Sequence, residues 1–251
     1  MKWQLLNTGF NSGKFNMDFD IDLARNALRG EAVLRLYRWQ PYCISLGANQ
    51  DFETINIEKA SVNNIDVVKR PTGGRAILHS DELTYSVVLP VSENLSARNI
   101  YHEINLALLE GLIIYNPKLN KIELENDQPD FPSFYREEKS TICFAVPAKS
   151  ELKYSGKKLV GSAQRKLGNT ILQHGSILCG SYHINIVNYL NTENLETLKK
   201  EINKTTIDLG TILNQTIDYE RLAESIAEGF ENNFNMKFGR SLNSEPEIIQ
   251  Q

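Results

Sequence analysis

Three short segments of this chain carry residue types that could do chemistry. The first, Arg70-Pro71-Thr72-Gly73-Gly74-Arg75-Ala76-Ile77-Leu78-His79, sets adjacent glycines between basic side chains and opens into a strand ending in histidine. Glycine, lacking a Cβ, lets the backbone approach a bound molecule closely, and a strand-terminal His can supply a hydrogen bond. The same pattern also fits an ordinary tight turn between solvated arginines. The second is Gly156-Lys157-Lys158-Leu159-Val160-Gly161-Ser162-Ala163-Gln164, and the third is Cys143, which lies 15 residues before Lys158. A strand, a bend and a hairpin can close that separation, so the pattern describes a thiol, a lysine and a glycine-lined pocket. On its own, Lys158 reads equally as a solvated hairpin lysine.

Other chemistries are excluded by spacing. His102-Glu103 lacks the second His of a zinc helix, neither GxxxxGK[ST] nor GxGxxG occurs, and Gly161-Ser162-Ala163 is not a nucleophile elbow. Three cysteines, Cys43, Cys143 and Cys179, show no CxxC spacing and cannot all pair, which argues against a disulfide framework or a zinc knuckle. Cys43 and Cys179 sit in apolar surroundings and read as small buried hydrophobes.

The elements that must position these residues follow from periodicity. Met17, Ile21, Ala24 and Leu28 predict a helix over 17–29 with Gly30 as its stop. Residues 33–39 and 42–46 read as a hairpin turning at Gln40-Pro41, followed by a short helix over 56–63 and strands over 65–69, 75–79 and 83–89. Ile100, Ile104, Leu108 and Leu112 share one face of a helix over 97–114, and residues 116–141 read as a surface loop beside the site. Residues 151–154 and 158–162 flank a polar glycine turn and predict a second hairpin, with a further strand over 170–178. From about residue 183 the chain reads as helical, most clearly in the stripe Tyr219, Leu222, Ile226, Phe230 and Phe234. The expectation is a single α+β domain over 1–251, with a central mixed, largely antiparallel sheet flanked by helices.

Apolar residues make up 41% of the 251 and charged residues 23%, ordinary values for a globular protein. The net charge of -4 argues against nonspecific nucleic-acid binding, although Lys153, Lys157, Lys158, Arg165 and Lys166 form a local basic stretch that could face an acidic partner. No signal-peptide core or long apolar run occurs, so the expected location is cytoplasmic, away from membranes.

With those residues in view, the chain resembles the biotin/lipoate protein ligase superfamily, and within it the cysteine-dependent octanoyltransferases of lipoate assembly. The likeness is carried by Asn16-Met17-Asp18, Trp39-Gln40-Pro41, Ser45-Leu46-Gly47, Arg70 through His79, Glu82 through Val87 and Lys158 through Gln164. It implies an acyl chain held under the Gly73-Gly74 loop and beside Gly161-Ser162-Ala163. The substrate-binding residues it implies are Arg70, Thr72, Gly73, Gly74, Arg75, His79, Gly161, Ser162 and Ala163. Cys143 matches the family's acyl-thioester nucleophile and Lys158 its pocket lysine. A free cysteine of pKa near 8.5 is only about 3% thiolate at pH 7, and lowering that pKa by roughly one unit gives about 24%. The resemblance further implies an octanoyl-acyl carrier protein as donor, a lysine of a lipoyl-accepting domain as acceptor, and no cofactor. Ile77, Leu78, Leu159 and Val160 are candidate pocket walls, about half of which face elsewhere.

Two other readings are open. An ATP-dependent lipoate ligase, with ATP and Mg as cofactors, would use the same loops and Lys158 without a cysteine. Against it, Cys143 stands where such ligases carry a Gly-Arg-Asn-Asp-like segment, and Arg75 replaces a third glycine common in them. A catalytically silent module that binds lipoyl domains or acyl carriers would need neither Cys143 nor Lys158.

Overall fold

The computed structural model describes residues 1–91, 96–124 and 151–239. Strand β1 (Lys2–Asn11) leads into α1 (Gly13–Arg25), and the chain returns through β2 (Glu31–Trp39), which pairs with β1 in parallel. Periodicity does not predict β1, since Leu5 and Leu6 are adjacent and the strand lies at a sheet edge, where neither face is fully covered. The helix expected over 17–29 starts and stops earlier. Ser12 caps it by accepting the Phe15 N–H, and it closes at Asn26, leaving Leu28 64% exposed rather than in the core.

The hairpin expected across Gln40-Pro41 is not formed. Strand β3 (Cys43–Leu46) leaves for a second sheet, where it pairs with β4 (Asp66–Lys69) in parallel and with β5 (Ile77–His79) antiparallel. The short helix α2 (Ile57–Val62) precedes β4, as the sequence predicts. After β5 the chain enters β6 (Glu82–Pro90), which joins β2, and then α3 (Ala97–Tyr115). The expected loop over 116–141 is corrected at its start, where a 3-10 turn at Pro117–Lys121 and a short strand β7 (Ile122–Leu124) are ordered by pairing with β8 (Leu152–Tyr154). Its remainder, from residue 125 on, lies outside the described residues.

The second predicted hairpin is present. Ser155 and Gly156 have φ of 51° and 74°, the paired left-handed geometry of a two-residue turn, and they join β8 to β9 (Lys157–Leu167). Strand β10 (Thr170–Leu178) then pairs with β9 and β6. Among the described residues the larger sheet runs β1-β2-β6-β10-β9-β8-β7, antiparallel except for its first pair, and the smaller runs β4-β3-β5. The mixed, largely antiparallel α+β expectation thus holds, with the strands divided between two sheets.

After β10 come a 3-10 segment at Tyr182–Tyr189, then α4 (Leu195–Thr205), α5 (Leu209–Leu213) and α6 (Tyr219–Asn233). Leu222, Ile226 and Phe230 of α6 are buried with Ile104, Leu108 and Leu112 of α3 over one face of the larger sheet. Each such side chain contributes at most about 1.5–3 kcal/mol. A Cβ on Gly229 would fall 2.3 Å from the Gly111 nitrogen, so α3 and α6 meet backbone to backbone. Among the described residues, no helix is long and apolar enough to cross a membrane.

Candidate functional site

The opposite face of the larger sheet is polar yet buried, and strand alternation explains why. On β6, Leu83, Tyr85, Val87 and Leu89 enter the helix-covered core, so Glu82, Thr84 and Ser86 face the other way. Pairing sets these residues in rows. Arg35, Ser86, His174 and Ala163 face one another across β2, β6, β10 and β9, and the next row is Tyr37, Thr84, Ser176 and Gly161. The β9 end of each row carries a small residue, which leaves space that bulkier side chains would fill.

A cavity occupies that space. Met17, Tyr37, Trp39 and Thr84 form its buried end, Ile77, His79 and Arg70 come from the smaller sheet and its loop, and β9 supplies buried Gly161 with the partly exposed Ser162 and Ala163. Thr72, Gly73, Gly74 and Arg75 are not among the lining residues. Of the four candidate walls, only Ile77 lines this cavity. Leu159 and Val160 pack into the core under α3, and Leu78 packs in the core of the smaller sheet.

The glycine loop is built as the sequence suggests, but Arg70 is no solvated charge. It is 5% exposed, and its guanidinium donates to the carbonyls of Ser45 (2.9 Å), Gly73 (2.9 Å) and Arg75 (2.7 Å). Gly74, at φ 93°, makes the turn, and Gly73 and Gly74 are exposed at its tip. A Cβ on Gly47 would lie 2.0 Å from the Gly74 carbonyl oxygen, so the loop rests directly on the end of β3. Arg75 is half-buried beside the glycines. The Thr72 hydroxyl lies 2.6 Å from His174 Nε2.

His79 sits under Trp39, their rings stacked 4.1 Å apart. Its Nε2 is 2.8 Å from Ser45 Oγ and its Nδ1 is 2.8 Å from Glu82 Oε1. This wiring is that of a serine–histidine–acid relay, but Ser45 is fully buried and its oxygen also accepts from Arg70, so the set braces the cavity floor. Glu82 Oε1 accepts from Thr84 (2.6 Å) and Ser176 (2.7 Å) as well. Burial alone would raise the Glu82 carboxyl, but the charge and hydrogen bond of His79, with those hydroxyls, hold it below the usual range. Asp20 behaves likewise. Burial opposes its charge, yet the His174 hydrogen bond and the Arg35 guanidinium 2.8 Å away keep it ionised.

Lys158 is 3% exposed, with its Nζ 2.6 Å from Glu151 Oε1. Cys143 lies outside the described residues. The other two cysteines are poor nucleophiles, because burial pushes the Cys43 and Cys179 thiols well up from their ordinary value. Ser162 lines the cavity, while its hydroxyl is engaged by Tyr85 Oη at 2.7 Å. Among the described residues, no group of His, Cys, Asp and Glu could hold a metal ion.

Sequence reasoning did not assign Glu151, Asp20 or His174 to the site, and it named Trp39 and Glu82 only as matching positions. The available signal was the alternation in β6, where Glu82, Thr84 and Ser86 recur every second residue between Leu83, Tyr85 and Val87; in β10 the neighbours of His174 are Gln173 and Gly175, which hide the same period.

Comparison with known proteins gives this geometry a family context. The lipoyl protein ligase A/B catalytic domain matches residues 12–231. Octanoyltransferase LipM of Kyrpidia tusciae is 35% identical over 241 residues, covering 91% of this chain and 85% of its own. Octanoyltransferase LipM of Geobacillus kaustophilus is 30% identical over 245 residues, covering 93% and 87%. Among solved structures, lipoate-protein ligase A bound with ATP superposes with a TM-score of 0.77 at 18% identity, covering 98% of this chain and 90% of that one, a likeness of fold.

Proposed function

Since the chain belongs to the lipoyl protein ligase A/B catalytic domain family, we propose that it is an octanoyltransferase of lipoate assembly, working through a Cys143 thioester. The observation that carries this reading is its 30–35% identity to octanoyltransferase LipM proteins over more than nine-tenths of its length.

The Cys143 thiolate attacks the carbonyl carbon of an octanoyl thioester on an acyl carrier protein. The new C–S bond forms as the old one breaks, and the carrier leaves as a thiolate that takes up a proton. A lysine ε-amino group of a lipoyl-accepting domain then attacks the acyl-enzyme. The amide C–N bond forms, the Cys143 C–S bond breaks, and the amine's proton passes to the departing sulfur. Thioester exchange is nearly isoenergetic and amide formation runs downhill, so no ATP is needed.

The mainly apolar cavity lined by Met17, Trp39, Ile77 and Ala163 suits an alkyl chain. Removing seven aliphatic carbons from water at about 0.8 kcal/mol each supplies at most about 5–6 kcal/mol. Lys158 provides positive charge that favours the thiolate and the developing oxyanion, and Glu151 fixes its amine. Arg70, Thr72, Gly73, Gly74, Arg75 and His79 shape one side of the acyl slot, and Gly161, Ser162 and Ala163 the other.

The test is intact mass after mixing with octanoyl-carrier protein. A hydroxylamine-sensitive adduct of about 126 Da should appear, and Cys143→Ala should abolish it. If instead the Cys143→Ala protein transfers free lipoate with ATP, the chain is a ligase.

A further inference from the structure

The two histidines of the cavity have different settings. His79 is locked among Ser45, Glu82 and Trp39, all within the floor. His174 reaches from β10 across to the glycine loop, with its Nε2 2.6 Å from Thr72 Oγ1 and its Nδ1 3.5 Å from Asp20 Oδ2. Asp20 is itself fixed from three sides, by Arg35 Nη1 at 2.8 Å, Ser86 Oγ at 2.8 Å and Tyr37 Oη at 3.0 Å. An ionised Asp20 only accepts, so the proton on the imidazole belongs on Nδ1, facing it, and Nε2 is left to accept the Thr72 hydroxyl. That hydroxyl is on the residue whose carbonyl takes the Ala48 N–H at 2.9 Å, so one residue ties the loop to β10 through its side chain and to the segment after β3 through its backbone.

We propose that His174 is a positioning residue, which holds the glycine loop over the acyl slot through Thr72 while Asp20 fixes its tautomer. The alternation described above makes this possible. His174 lies beside Ala163 in the pairing row, so no bulky neighbour stands between its ring and the loop. Arg70 braces the loop from within, by bonds to the Gly73 and Arg75 carbonyls. The Thr72–His174 contact instead links the loop to the larger sheet, from which Gly161 and Ala163 form the facing wall. Together with the Arg165 Nη1 bond to the Pro71 carbonyl at 2.6 Å, this contact sets the spacing between the loop and the facing wall of the slot.

The activity arm of the test rests on the octanoyltransferase reading, and the exchange arm does not. His174→Gln keeps an acceptor near the Nε2 position and His174→Asn keeps only the Nδ1 side. Hydrogen–deuterium exchange of the 70–76 segment should therefore rise at least several-fold in His174→Asn and Thr72→Val, and stay near wild type in His174→Gln and Thr72→Ser. The Thr72→Val/His174→Asn pair should be no worse than either single change, as expected of partners in one contact. In transfer assays the same two disruptive variants should raise the KM for the octanoyl donor about tenfold with kcat less affected. Equal exchange in Gln and Asn variants, or additive effects in the pair, would overturn the proposal. If exchange follows the pattern but the wild type transfers no octanoyl group, the function fails and the positioning role stands.

Discussion

A carboxylate buried in this fold keeps its charge through hydrogen-bond donors, which meet both oxygens of Asp20 but only Oε1 of Glu82, whose Oε2 is buried without a partner among the described residues. Removing Glu82 leaves Thr84, Ser176 and the His79 ring without their shared buried partner, so Glu82→Ala should lower unfolding free energy by about 2–4 kcal/mol in urea titration. The same groups set the acid response. Asp20 and Glu82 titrate lower in the folded protein than in the unfolded chain, and burial likewise depresses His174 and His183 below the ordinary 6.5 of histidine. The unfolded chain therefore takes up protons first as pH falls, and each group's contribution is lost in that direction. Melting temperature should decline from about pH 6.5 downward as the histidines titrate in the unfolded chain, and further once the carboxylates do. His174→Gln should flatten the first part of that decline; a pH-independent melting temperature between 7 and 5 would contradict the assignment. Lys158→Ala should slow acyl-enzyme formation while the far-ultraviolet circular dichroism remains that of a folded protein.

Among elements, the glycine loop was the most legible, because a turn between basic residues leading into a strand leaves few alternatives. Its supports were not. Gly47 and Gly74 meet at a distance that allows no Cβ, so Gly47→Ala must displace the loop and should reduce transfer by more than about 100-fold in a protein that still folds. Gly73 has open space where a Cβ would go and an unremarkable φ. Gly73→Ala should leave the melting temperature unchanged and raise the donor KM roughly fivefold or more, about 1 kcal/mol of lost binding. The two substitutions thus separate loop position from ligand contact. The false hairpin at Gln40-Pro41 has a clear cause: two strands and a proline turn satisfy a hairpin pattern whether the strands pair with each other or with different sheets.

At the scale of the whole molecule, a chain of net charge -4 presents exposed Arg165 and Lys166 near the glycine loop, where Arg165 Nη1 donates to the Pro71 carbonyl. Lys158, placed with them by sequence, is withdrawn into its pair with Glu151. A charge here acts on encounter more than on chemistry, so Arg165→Glu should raise the KM for carrier-bound donor and leave small octanoyl thioesters unaffected. The difference should shrink at high salt.

By itself the sequence determined the family, the mixture of strands and helices, the core stripe of α6 and the turn chemistry of both glycine segments, because these depend on residue type at short spacing. Only the tertiary structure decided which polar residues face inward together. Glu82, His79 and Ser176, or Thr72, His174 and Asp20, are brought into contact by register across paired strands and by a loop crossing between sheets. No local periodicity encodes that register, since it is fixed by the packing of both sheet faces at once.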